Sequence, residues 1–253
     1  MKKILIILVA LCGSLATYGE DVDIRVLWER GNHLYSAGDW NGAVATYDSI
    51  VSEGWESADL YYNLAGANFK AGKKGEAILN YLRAQRLAPG DDDIAYNLAY
   101  AESFVKDKIE AVPEFALSRW MGSAKRVMSA DKWGVCTLIC LGVTLVAAGF
   151  YLLSARRKVR KTGFVVALVM TVATLLSLSF GAESRKVLTS KDNAVVLSTA
   201  AVVKASPEKS GKDLFILHEG TKVEVLDAFG EWSEIRIADG NEGWIRTSAI
   251  EVI

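Results

Sequence analysis

The sequence contains little of what catalysis needs. Only two histidines occur in 253 residues, His33 and His218, and neither has a catalytic partner nearby along the chain. The motifs HExxH, GxSxG and CxxC are absent, and the "GKD" stretch at residues 211–213 lacks the hydroxyl residue with which a phosphate-binding loop holds magnesium. We therefore expect no catalytic residue and no cofactor, which means a protein that is not an enzyme.

Cysteine is also rare. Cys12 lies near the N-terminus, and Cys136 and Cys140 lie four residues apart within one apolar run. Two thiols without a neighbouring histidine or carboxylate are an incomplete ligand set for zinc. The sequence therefore predicts no metal site, and it predicts no disulfide framework either.

Clustered basic charge is confined to one short segment. Residues 20–111 contain 16 acidic and 9 basic side chains, whereas "SARRKVRKTG" at residues 154–163 contains five cations and no acidic residue. No basic patch interleaved with aromatic residues occurs elsewhere, which argues against nucleic-acid binding. The chain is nevertheless 51% apolar with a positive mean hydropathy, so we expect part of it to contact lipid.

Two long uncharged runs flank the basic segment. They cover residues 133–155 and 163–182, or 23 and 20 residues, and each can cross a hydrocarbon core of about 30 Å as a helix. Two buried core helices are the alternative, but neither run has a polar face. We predict two transmembrane helices joined by a basic loop at residues 156–162.

The basic loop also predicts the orientation of this hairpin. Short loops rich in lysine and arginine stay cytoplasmic, because each cation costs roughly 2.5 to 3.5 kcal/mol to insert. The five cations that set the topology are Arg156, Arg157, Lys158, Arg160 and Lys161. Both flanks of the hairpin would then lie outside the cytoplasm.

The N-terminus agrees with that orientation. Residues 1–19 have two lysines, an apolar stretch and small residues before a cleavage point, as in a signal peptide. An uncleaved anchor is the alternative and leaves the topology unchanged. A lipoprotein modified at Cys12 is disfavoured, because bulky Leu11 precedes the cysteine.

Residues 20–111 contain an internal repeat. "AGDWNGAVATY" at 37–47 matches "AGKKGEAILNY" at 71–81, and "YYNLA" at 61–65 recurs as "AYNLA" at 95–99, each 34 residues later. This period is typical of tetratricopeptide (TPR) repeats, which are pairs of antiparallel helices. We expect two full repeats over 24–57 and 58–91 and one further helix. The residues expected to pack or turn within the repeats are Gly31, Gly38, Ala43, Tyr47, Ala65, Gly72, Ala77, Tyr81 and Ala99.

The TPR resemblance implies a concave groove that binds peptides. Asn63 and Asn97, at equivalent points of "YNLA", would face it and contact a partner. The alternative, that they are surface residues without a specific ligand, is favoured over this interpretation. The following segment, residues 112–132, mixes apolar and basic residues. It is predicted as an amphipathic juxtamembrane helix, which either caps the repeats or lies on the membrane.

Residues 187–253 change to the alternating pattern of β-strands. Short runs rich in valine and isoleucine are separated by turn clusters such as "HEG" and "ADGNEG", and we expect about five antiparallel strands. "LHEGTKVEVLD" and "GEWSEIRIADGNEGW" resemble the bacterial SH3-like family, some members of which bind cell-wall peptides. By that resemblance, Trp232 and Trp244 would have a structural role.

The whole arrangement resembles one family. The order of signal peptide, short TPR stack, membrane hairpin and SH3-like tail is similar to the BatE family of TPR proteins from the Bacteroides aerotolerance (Bat) operon, with the tail at residues 213–244 as the most specific part. The resemblance implies an inner-membrane adaptor in aerotolerance or envelope stress. Its partners would be Bat membrane proteins with von Willebrand factor A domains and, indirectly, a MoxR-type ATPase. A peptidoglycan sensor is the alternative.

The predicted fold class is therefore a multidomain membrane protein. It combines all-α TPR repeats, a two-helix transmembrane hairpin and an all-β SH3-like barrel. The expected location is the bacterial inner membrane, with both terminal domains in the periplasm. Its expected contacts are partner proteins, the lipid bilayer and, under the alternative, peptidoglycan.

Overall fold

The computed structural model describes residues 23–110, 112, 128–190 and 192–253. Within these residues it has seven α-helices and a seven-stranded antiparallel sheet. The predicted signal peptide and residues 113–127 of the predicted amphipathic helix lie outside the described residues. The chain divides into two compact units, Met1–Trp55 and Glu56–Ile253.

The first unit contains one helical hairpin, formed by α1 (Ile24–Ser36) and α2 (Trp40–Ser52). The turn between them passes through Gly38 at a φ of 80°, which glycine adopts without steric cost. A Cβ atom at Gly31 would lie 2.5 Å from the buried ring of Tyr47. The two helices approach closely because this position carries no side chain.

The second unit begins with the second helical hairpin. Helices α3 (Ala58–Lys70) and α4 (Lys74–Leu87) flank a turn at Gly72, and Ala65 and Ala77 are completely buried. Helix α5 (Asp92–Glu102) follows, with the Asp91 carboxylate accepting hydrogen bonds from the first turn. Residues 103–110, called the strap below, then continue without another helix. Ala99 is therefore exposed, although it occupies the repeat position of Ala65.

Two long apolar helices form a third hairpin, α6 (Ala130–Leu153) and α7 (Arg157–Thr189). Both are long and apolar enough to cross a membrane, and only 6% and 11% of their most apolar windows are buried. The connection is shorter than the predicted loop of residues 156–162. Helix α7 already begins at Arg157, because arginine and lysine are good helix formers and no proline interrupts them.

The sheet has seven strands, two more than the five or so predicted, and most of them are four to eight residues long. The strands are β1 (Asn193–Val196), β2 (Ala200–Lys204), β3 (Asp213–His218), β4 (Lys222–Phe229), β5 (Trp232–Arg236), β6 (Glu242–Arg246) and β7 (Ile250–Val252). Their order in the sheet is β3-β2-β6-β5-β4-β1-β7.

One apolar core lies inside this sheet, and we call the folded sheet the barrel. Val196, Val203, Ile235 and Ile245 are completely buried there. A bulge between Val225 and Asp227 in β4 shifts the register against β5. Ile109 of the strap packs against the same core, so the strap is part of the barrel's packing.

Candidate functional site at the second repeat and the barrel

The barrel packs against helix α4, in a contact that we call the junction. Val195 of β1 is completely buried and belongs to one apolar cluster with Ile78 and Leu79 of α4. Gly220, in the turn between β3 and β4, has a φ of 85°, and a Cβ atom there would lie 2.8 Å from Ile78 Cδ1. The turn can therefore rest on α4 only because this residue is a glycine.

A single carboxylate of the strap organises the polar part of the junction. Asp107 Oδ2 accepts hydrogen bonds from the backbone N–H of His218 and the hydroxyl of Thr221, both at 2.7 Å, and Asp107 Oδ1 lies 2.7 Å from His218 Nδ1. Lys106 Nζ lies 2.9 Å from His218 Nε2. Because an ammonium group only donates, Nε2 accepts and Nδ1 carries the proton that is donated to Asp107.

These contacts change the acidity of the carboxyl group. Burial raises the pKa of Asp107, but the hydrogen bonds from Thr221 and His218 and the nearby imidazole outweigh it, so the pKa lies below its ordinary value. The ionised form of Asp107 therefore favours the folded junction.

Two arginines of α4 bind strand β7 of the barrel and the residue that follows it. Arg83 Nη2 donates to Glu251 Oε1 at 2.8 Å and to the Val252 carbonyl at 2.9 Å, and Arg86 Nη1 donates to the Ile253 carbonyl. Arginine suits this role because its planar guanidinium offers several donors at fixed angles. Helix α4 and strand β7 are thus joined by directional hydrogen bonds in addition to the apolar cluster.

A cavity of about 530 Å³ opens where α4, the start of α6, the end of α7 and the barrel meet. Its apolar lining includes Leu82, Val187 and Ile253, and its cations are Arg86 and Lys222. The buried Nε of Arg86 has no hydrogen-bond partner among the described residues. The cavity therefore combines an apolar wall with two cationic side chains.

A second surface remains open on the other side of the repeat. Tyr96 and Tyr100 of α5 and Phe104 of the strap are 72%, 51% and 45% exposed. Their four-residue spacing places them on one side of the helix, and the rings of Phe69, Tyr100 and Phe104 lie 5.2 to 5.6 Å apart in pairs. We call the surface formed by Phe69, Tyr96, Tyr100 and Phe104 the aromatic face.

Asn63 and Asn97, which were predicted to line a peptide-binding groove, are less accessible to a partner than the aromatic face. Asn97 Nδ2 donates to the Tyr62 hydroxyl at 3.0 Å and to the Asp93 carbonyl at 2.9 Å, so its amide hydrogens are used within the chain. Asn63 is half-buried. Sequence reasoning missed the aromatic face, although the spacing of Tyr96, Tyr100 and Phe104 was visible as its signal.

The other predicted residues lie in three settings. Those buried within the repeat hairpins are Gly31, Ala43, Tyr47, Ala65, Ala77 and Tyr81, and those in turns are Gly38 and Gly72. Ala99 is exposed. The five predicted topology cations, Arg156, Arg157, Lys158, Arg160 and Lys161, are exposed at the connected end of the α6–α7 hairpin.

The predicted structural tryptophans lie on strands β5 and β6. Trp232 is 7% exposed, and the Arg246 guanidinium lies 5.2 Å from its ring centre. Trp244 is half-buried and pairs across the strands with Glu234 and Lys204. Both side chains therefore contribute to the packing of the barrel.

Comparison with known proteins identifies the C-terminal part. The family description of the bacterial SH3 domain matches residues 199–251. No curated protein matches the chain significantly. A solved structure titled "Crystal structure of MamA" is 18% identical, with 66% of this chain and 83% of that chain covered at a TM-score of 0.32, which is too low to support an argument about fold or function. Residues 199–251, which span β2 to β6 and the start of β7, are a bacterial SH3 domain.

Proposed function

We propose that this protein is an adaptor anchored in the bacterial inner membrane. Helices α6 and α7 cross the bilayer, the five cations at their connected end stay in the cytoplasm, and the repeats and barrel lie in the periplasm. The length and apolarity of the helices support the crossing. The cluster of cations supports the orientation.

The exposed aromatic face is the observation that carries the adaptor proposal. The barrel occupies α4, whereas Tyr96, Tyr100 and Phe104 remain open to solvent. Aromatic residues are enriched where proteins bind one another, because they bury a large area with few rotatable bonds. The aromatic face would therefore receive an apolar segment of a partner protein.

The partner follows from the resemblance to the Bat family. It would be the periplasmic segment of a Bat membrane protein with a von Willebrand factor A domain, and a MoxR-type ATPase would be connected only through that protein. The complex would act in aerotolerance or envelope stress. The chain itself would supply binding surfaces and no catalysis.

Affinity isolation of the detergent-solubilised full chain tests the adaptor. The variant Y96A/Y100A should lose co-isolated membrane proteins with von Willebrand factor A domains. The matched control is F229A, because Phe229 is 65% exposed but lies on the barrel. Equal recovery with the wild type, Y96A/Y100A and F229A would exclude the aromatic face as the docking surface.

A cell-wall sensor is the second candidate, supported by the bacterial SH3 domain and by one edge of its sheet. Strand β3 lies at the edge, and its outward side chains Leu214 and Ile216 are 45% and 54% exposed. Extended peptides can add to such an edge. Sedimentation of the full chain with cell-wall sacculi should then be reduced in I216D and unchanged in F229D, and no sedimentation of the wild type would reject this candidate.

A further inference from the structure

The connected end of the α6–α7 hairpin has two crevices between the helices. A crevice of about 410 Å³ has apolar walls that include Val146, Phe150 and Val166, and Lys158 at its rim. A second crevice of about 360 Å³ is lined by the rings of Tyr151 and Phe164. Its rim cations are Arg157, Arg160 and Lys161. Each crevice thus combines an apolar wall with positive charge at one end.

Gly163 brings the two helices together at this level. A Cβ atom there would lie 2.9 Å from the Ala147 carbonyl oxygen and 3.0 Å from the Tyr151 nitrogen. The backbones therefore touch at a residue without a side chain, while larger side chains flank the contact. Both crevices adjoin this contact, because Ala147 and Gly163 line the larger one and Tyr151 lines the smaller one.

The charge at the rims has no counter-charge within the hairpin. Residues 132–182 contain no aspartate or glutamate, and among the described residues no ion pair includes any of the five cations. The flanking acidic residues, Asp131 and Glu183, lie near the opposite ends of α6 and α7. At 1.5 Å per residue that is roughly 30 Å away, so a negative group that meets these cations would come from outside the hairpin.

At the rim of the smaller crevice, Arg160 already lies against an aromatic ring. Its guanidinium lies 5.7 Å from the centre of the Tyr151 ring, and the Tyr151 and Phe164 rings lie 5.5 Å apart. A guanidinium over an aromatic ring keeps its edge donors available, and these match the oxygens of a phosphate group. The cations therefore stand at the rim of an apolar surface, where a phosphate joined to a hydrocarbon chain would meet both.

We propose that the connected end of the hairpin binds an anionic phospholipid of the cytoplasmic leaflet. The phosphate contacts Arg157, Arg160 and Lys161 of the smaller crevice, and an acyl chain lies along its aromatic wall, Tyr151 and Phe164. A zwitterionic lipid binds less well, because its ammonium group meets a cluster of cations. This inference rests on the proposed membrane anchoring, which it extends to a preference for one lipid class.

Native mass spectrometry of the full chain tests the preference for charge. The protein is released from bilayers of equal phosphatidylglycerol and phosphatidylethanolamine, and the retained lipids are counted. The wild type should retain mainly phosphatidylglycerol, and R160Q/K161Q should lower that preference about tenfold. The matched control R185Q/K186Q removes two exposed cations near the other end of α7 and should retain the wild-type ratio.

A second pair of variants tests the crevice without changing the charge. F164A removes part of the aromatic wall of the smaller crevice and should reduce the number of retained lipids. F180A makes the same exchange near the other end of α7, where Phe180 packs on Trp133 and lines neither crevice, and it should not. An excess of glycerol 3-phosphate should not displace the lipid, because it lacks the acyl chain.

Three results would overturn the inference. They are equal retention of both lipids by the wild type, an unchanged ratio in R160Q/K161Q, and displacement by glycerol 3-phosphate, which would indicate a site for free anions. A failure of the anchoring itself is distinguished by cysteine labelling at Ser154 and Ser190. A hairpin that labels as transmembrane but retains both lipids equally would leave the anchor intact and reject only the lipid site.

Discussion

Three hydrogen bonds across the junction are accepted by one side chain, the carboxylate of Asp107. Its carboxylate accepts from the backbone and imidazole of His218 and from the hydroxyl of Thr221, which is only 5% exposed. Buried donors that lose their acceptor cost more than the bond itself contributed. Few other side chains could therefore replace Asp107 in the strap, because most would leave these donors without an acceptor.

Replacing this carboxylate should destabilise the protein. D107A leaves the Thr221 hydroxyl and the His218 N–H without their acceptor, at a cost of about 1–3 kcal/mol in the free energy of unfolding. Urea unfolding followed by tryptophan fluorescence measures the change. D227A, at an exposed aspartate of β4, is the control and should stay within about 0.5 kcal/mol of the wild type. Equal effects of the two variants would contradict the role of Asp107.

The same residue predicts a dependence on pH. Because the folded pKa of Asp107 lies below its ordinary value, its contribution to stability is complete above the unfolded pKa of about 3.9 and is lost as the pH falls through the folded pKa. The difference in unfolding midpoint between the wild type and D107N should therefore be constant near neutral pH and shrink below about pH 4. A difference that stays constant down to pH 2 would show that the ionised form has no special stability.

At the scale of the elements, the second repeat depends on small residues between α3 and α4. Ala77 is completely buried there. A77L adds three carbon atoms to a filled space and should lower the free energy of unfolding by about 1–3 kcal/mol, as measured by thermal or urea unfolding. A99L makes the same exchange at an exposed position of α5 and should have little effect. An unaffected A77L would disprove the helix register.

The turn between β3 and β4 is the element that rests on α4. G220A places a Cβ atom 2.8 Å from Ile78 and 2.9 Å from Val105, and it also strains a residue at a φ of 85°. G230A has the same backbone problem, at a φ of 60°, with no atom within 4 Å. Hydrogen exchange of the α4 amides should therefore increase in G220A and stay unchanged in G230A. Equal exchange in both variants would mean that the turn does not support α4.

The helices were more predictable from the sequence than the strands. The 34-residue period placed α1 to α5, because Gly38 and Gly72 mark equivalent turns and each helix repeats the same spacing of small residues. About five strands were expected instead of seven, because strands as short as β1 and β7, with four and three residues, are too short to show alternation. The extent of α7 was missed because a basic segment was assigned to a loop, although such residues favour helices.

At the scale of the whole molecule, the junction could not be predicted from the sequence. Asp107 and His218 are 111 residues apart, and Arg83 and Glu251 are 168 apart, so no local pattern joins them. The aromatic face could have been predicted from the spacing of Tyr96, Tyr100 and Phe104. The cavity beside Arg86 could not, because it depends on how α4, α7 and the barrel meet. The second repeat and the SH3 domain consequently form one unit at one end of the α6–α7 hairpin.

The placement of that unit relative to the bilayer is the central claim, and cysteine labelling tests it most directly. Single cysteines are placed at Ser154 or Ser190 after the three native cysteines are replaced by alanine, and intact spheroplasts are treated with a membrane-impermeant thiol reagent. We predict that S190C is modified at once and that S154C is modified only after the membrane is permeabilised. Modification of S154C in intact spheroplasts, with S190C protected, would contradict the account.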